Sequence, residues 1–103
     1  MAVKHIVLLK FKPETKAEVI SDFFADLSAL ESGIPEMLSY EHGPYSSNEG
    51  LNQDFTHGFV MTFSSETARD HYLTHPKHLD IATGVQQHLV QFPSGVIAFD
   101  FCS

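Results

Sequence analysis

The chain has 103 residues, with 6 Lys and Arg against 13 Asp and Glu, and a formal charge of -7. Hydrophobic residues make up 43% of it and charged residues 18%, which places it among globular rather than disordered or fibrous chains. The acidic balance argues against nucleic acid and anionic membrane surfaces as partners, because both repel negative charge.

That length fits one domain spanning residues 1–103, and folding at this size buries only about two-thirds of the surface the unfolded chain exposes. The core is expected to be thin, so pairing with a second copy would help. The longest aliphatic run, Ile6 to Leu9, is too short to span a bilayer. The N-terminus has no extended apolar leader, and the lone Cys102 has no partner for an intrachain disulfide. A cytoplasmic, reducing location is therefore expected.

Val3 to Lys12 reads as a strand, with Val3, His5, Val7, Leu9 and Phe11 on one side and Ile6 and Leu8 on the other. Pro13 stops it. Thr15 to Glu18 has the form of a capping box, and Ile20, Phe23, Phe24, Leu27 and Leu30 then follow helical spacing until Gly33 and Pro35. Leu38 to Glu41 begins a second strand, followed by a polar loop from Gly43 to Asp54. Phe55 to Phe63 is a third strand, with His57, Phe59, Met61 and Phe63 on one side. Ser64 or Ser65 caps a short helix to about Thr74, because Pro76 disfavours helix at the residue before it. Pro76 suits the first turn of a further helix to about His88. Gly95 to Phe101 is the last strand, with Ile97, Phe99 and Phe101 alternating against Val96, Ala98 and Asp100.

The order β-α-β-β-α-β implies an α+β, ferredoxin-like sandwich of one four-stranded sheet. Helices cover one face. The other, carrying Ile6, Leu8, Val60 and Ala98 or their alternates, is too apolar to stay wet and is expected to pack against a second copy. In this topology the first and third strands are expected side by side and parallel, which places His5 and His57 at one end of the sheet. The helix after the third strand returns toward that end, bringing Tyr72, His75 and His78 to the same level. Buried imidazoles need partners for two ring nitrogens and titrate near neutral pH, so four convergent histidines point to acid–base chemistry. The competing reading of each alone is a core histidine with a hydrogen-bond partner.

His71, His75 and His78 are spaced four and three apart, but Pro76 interrupts the helix and Asp80 is the only nearby carboxylate, so no metal site is expected. His42 and His88 read as surface residues, and Cys102 as a packed or idle thiol. A glycine-rich phosphate loop, a GxSxG elbow and a Cys-His pair are all missing.

Lys4-His5-Ile6-Val7, Thr56-His57 and Tyr72-x-x-His75-Pro76-x-His78 together resemble the stress-responsive α/β-barrel (Dabb) family, over Val3 to Phe101. The resemblance implies ferredoxin-like chains paired sheet to sheet into a dimeric α+β barrel. It also implies similarity to a plant polyketide cyclase that closes a linear β-keto thioester by aldol condensation, without metal or cofactor. Carried over, the general base falls on His78 and its tyrosine on Tyr72, with His5, His57 and His75 nearby. The apolar pocket falls on Val7, Leu9, Phe23, Phe24, Leu27, Phe59 and Leu79. Ser28 and the bulky Phe59 depart from that pattern. The implied ligand is a small apolar or aromatic molecule. Three activities stay open: a cofactor-free cyclase or isomerase, a non-catalytic ligand-binding or stress-protective dimer, and a cofactor-free oxygenase.

Overall fold

A computed structural model describes residues 1–103. The elements are β1 (Val3–Leu9), α1 (Ala17–Gly33), β2 (Met37–Pro44), β3 (His57–Phe63), α2 (Glu66–Thr74), α3 (Pro76–Val85), a 3₁₀ turn at Gln86–His88, and β4 (Val96–Cys102). The strands form one sheet in the order β2-β3-β1-β4. This is the expected α+β, ferredoxin-like arrangement.

One expectation fails in a way that matters for function. β1 and β3 are neighbours, but they run antiparallel: His5 faces Met61, and His57 faces Leu9. The β2–β3 connection is a hairpin-type reversal that inserts β3 between β2 and β1. Because α1 carries β1 over to a parallel β2, the intervening β3 must oppose both. The two histidines therefore stand at opposite ends of the sheet, four residues apart in register, or about 13 Å at the rise of a strand.

Alternation decides which face each side chain occupies. Val3, Val7, Leu9, Phe59, Met61 and Phe63 are buried beneath the helices, where Phe23, Phe24, Leu27 and Leu30 of α1 meet them in one hydrophobic cluster. The opposite face carries Ile97, Phe99 and Phe101, rather than Ala98, beside Ile6, Leu8 and Val60. Phe99 is 63% exposed, Phe101 44% and Ile97 43%. Ile6 lies between Phe99 and Val60, and Leu8 beside Ile97, so this apolar surface is continuous across three strands.

The ends of the helices refine the reading. The capping box does not form: Lys16 is the N-cap of α1 without a side-chain bond, and the Thr15 hydroxyl lies 3.5 Å from the His88 carbonyl. Packing of the β1–α1 loop on the 3₁₀ turn has taken the hydroxyl away from its own helix. Ser65 does cap α2, accepting a bond from Ala68 N at 3.1 Å. Gly95, before β4, leaves no room for a side chain unless its neighbour shifts, since a Cβ there would collide with the Val90 carbonyl.

Candidate functional site

The α2–α3 junction builds the site. Helices leave their last carbonyls and first amides unpaired, and two histidines satisfy them here. His75 is the N-cap of α3: its Nδ1 accepts the Lys77 amide at 3.1 Å, and Pro76 follows at the first helical position. One turn later, His78 Nδ1 lies 3.0 Å from the Leu73 carbonyl oxygen in the last turn of α2. A carbonyl only accepts, so Nδ1 must carry the proton. The neutral ring then leaves the lone pair on Nε2, the form of a proton acceptor. Burial, opposed by that hydrogen bond and reinforced by the nearby His5 and His75, lowers the His78 pKa from 6.5.

The His78 ring sits 4.3 Å from that of Tyr72, centroid to centroid. Tyr72 is 1% exposed, and its burial, with a lesser effect of Tyr40, holds the phenol pKa above 10, so the hydroxyl keeps its proton at neutral pH. On its other side Tyr72 meets His5 at 5.8 Å, edge to face. His5 is 5% exposed and lies among Phe59, Phe63 and Tyr72. Its Nδ1 lies 2.7 Å from Asp100 Oδ1, and the other carboxylate oxygen of Asp100 accepts the Arg69 guanidinium at 2.9 Å. Arg69, Asp100 and His5 thus form a line of charge-assisted hydrogen bonds that fixes one edge of the imidazole.

These groups border a cavity of about 210 Å³ between the sheet and α1, α2 and α3. Of its 17 lining residues, 14 are hydrophobic, leaving His5, His78 and Gln86 as the exceptions. Val7, Leu9, Phe23, Leu27 and Phe59 are among the lining residues. Ser28 is exposed on the outer side of α1, clear of the cavity.

The remaining anticipated residues lie elsewhere. His57 is at the far end of the sheet against Phe11 and Phe24, and His42 stacks on Phe24 at 4.4 Å. The Thr56 hydroxyl lies 3.2 Å from the Leu9 carbonyl oxygen and 2.9 Å from His57 Nδ1. Burial, then His42, lowers the His57 pKa. Phe24 is buried in that second aromatic group, His75 is committed to capping, and Leu79 is half-exposed; none borders the cavity.

Asp100, Arg69 and Gln86 escaped the sequence reading. Asp100 was visible as the polar member of the Val96-Ala98-Asp100 face, and an antiparallel register with β1 would have set it opposite His5. Gln86 falls on the α3 stripe of His78, Ala82 and Gln86 at intervals of four. Arg69 pairs both with the adjacent Asp70 and with Asp100, and the second partner, 31 residues away, gave no local signal. No group of three or more His, Cys, Asp and Glu side chains is arranged to hold a metal ion.

The family model for the stress-responsive A/B barrel domain (Dabb) matches residues 3–103, and the chain belongs to that family. It is 36% identical to the stress-response A/B barrel domain-containing protein HS1 of Arabidopsis thaliana over 81 residues, 79% of this chain and 74% of that one. It is also 36% identical to olivetolic acid cyclase of Cannabis sativa, over 77% of this chain and 78% of the cyclase. Among solved structures, a dimeric ferredoxin-like protein of unknown function from Jannaschia sp. CCS1 superposes with a TM-score of 0.92 at 24% identity, each chain fully covered.

Proposed function

We propose that this chain is a cofactor-free acid–base enzyme of the polyketide-cyclase type, acting on a small keto or aromatic molecule in the His5–Tyr72–His78 cavity. The observation that carries the reading is the His78–Leu73 hydrogen bond. It fixes the tautomer, so that the half-buried imidazole, whose pKa burial lowers, keeps its basic nitrogen free, in ring contact with a protonated tyrosine.

The chemistry follows from those states. A carbon between two carbonyls is acidic enough for a neutral imidazole, so His78 Nε2 takes its proton. Tyr72 donates a hydrogen bond to the enolate oxygen, and His5, steadied by Asp100, supplies a second polar contact beside it. The enolate carbon forms a bond to another carbonyl carbon of the same chain. The resulting alkoxide recovers the proton held on His78. The apolar walls exclude water and hold the two ends of the substrate together. Similarity to olivetolic acid cyclase supports the class of reaction.

A homodimer formed through the Ile6, Leu8, Ile97, Phe99 and Phe101 face completes the reading, and the dimeric description of the Jannaschia protein supports it. The cavity lies on the opposite, helical side, so each protomer carries a whole site. No helix is long and apolar enough to cross a membrane, and a lone exposed Cys102 suits a reducing cytoplasm.

The test is turnover of an N-acetylcysteamine thioester of a linear 3,5,7-triketo acid, in which C2 can close on the C7 carbonyl to a six-membered ring, followed by mass spectrometry. His78→Ala should lower the rate of ring closure by about 10²–10⁴-fold and Tyr72→Phe by about 10²-fold, both variants remaining folded. Equal rates in wild type and His78→Ala would reject catalysis at this site. A protein that binds phenols but closes no keto thioester would favour the ligand-binding reading.

A further inference from the structure

The cavity is polar at both ends. His78 and Gln86 occupy the same stripe of α3 and its 3₁₀ extension, eight residues apart, with Ile81, Ala82 and Val85 between them on the lining. At about 1.5 Å per residue, that sets them about 12 Å apart along the helix axis. The neighbouring Gln87 amide bonds back to the Gly84 carbonyl at 3.4 Å. Gln86 instead borders the cavity, and no side-chain hydrogen bond within the chain engages its amide.

Gln86 is half-exposed and no buried side-chain nitrogen or oxygen lacks a partner, so solvent reaches its amide; a ligand that displaces that solvent must bond to the amide or leave it unpaired. We infer that Gln86 is the specificity residue for the far end of the substrate, pairing with an uncharged hydroxyl or carbonyl about one ring and a short chain away from the reacting group. An amide both donates and accepts, which suits either group. No Lys or Arg borders the cavity, so a carboxylate or phosphate at that end would be buried unpaired. The favoured ligand is thus a neutral, elongated molecule with an apolar middle and a polar group at each end. This rests on the acid–base reading of the His78 end.

The probes are 3-(4-hydroxyphenyl)propan-1-ol and 4-propylphenol, which differ only in the terminal hydroxyl. Each is titrated by calorimetry, with the histidine ring signals followed by NMR, into wild type and Gln86→Met. The preference for the alcohol over the propyl compound should fall about tenfold in Gln86→Met, the size of one hydrogen bond lost in a desolvated site. An unchanged preference in Gln86→Met overturns the inference while His5 and His78 still respond to both compounds. Failure of both compounds to shift His5 or His78 would instead remove the acid–base reading, and this inference with it.

Discussion

The Nδ1 proton of His78 is held by a backbone carbonyl, His57 Nδ1 lies against the Thr56 hydroxyl, and burial lowers the pKa of both rings. For catalysis, the consequence is that kcat/KM should rise with pH to a plateau whose midpoint lies below 6.5, because His78 is active only when neutral. For stability the sign is the same. Unfolding restores an ordinary histidine, so below pH 6.5 the unfolded chain binds more protons than the native one, and stability falls as pH drops toward the depressed native values. Melting temperatures at pH 7.5 and 5.5 should show that loss, and His57→Gln should reduce it without touching turnover. Asp100 acts through His5. Asp100→Asn replaces a charged acceptor by a neutral amide, and should lower turnover while the fold persists, with the ¹⁵N shifts of His5 reporting a changed tautomer population.

At the scale of elements, Pro76 and the two flanking histidines show how one short motif divides its labour. His75 ends α2 and starts α3, Pro76 fits the first turn, and only His78 reaches the cavity. Sequence patterning located nearly every element because caps, prolines and alternation are local signals. Ser65, Gly33 and Pro76 mark boundaries that the chain obeys. The site was half legible: Tyr72 and His78 were reachable from the helix ends, whereas the grouping of His57 with His5 rested on strand direction, which alternation does not encode. A strand has the same two faces whichever way it runs. The Asp100–Arg69 pair and the amide of Gln86 needed the register and the packed helix to become visible. The loop that closes on β4 should prove equally intolerant: Gly95→Ala must push the Val90 carbonyl aside, costing about 1–3 kcal/mol in denaturant titrations. Leu27→Ala, at a nearly fully buried wall position, should cost about 2–5 kcal/mol.

At the scale of the molecule, one sheet serves two purposes. Its helical face encloses the cavity, and its open face presents Phe99 and Phe101 beside Ile6, Leu8 and Ile97. A charge at the centre of that face should prevent pairing: Phe99→Asp is expected to sediment near 11.5 kDa, and wild type at twice that mass. Its His78 and Tyr72 environment should survive, because the cavity is built from a single chain. His5, Tyr72 and His78 border one cavity, while His57 belongs to another part of the core. The most direct measurement is a titration with 4-propylphenol watched through the histidine ring signals. Movement of His5 and His78 together, lost in His78→Leu for the remaining His5 signal and absent at His57 throughout, is the expected result. A response centred on His57, or none at His5 and His78, would contradict it.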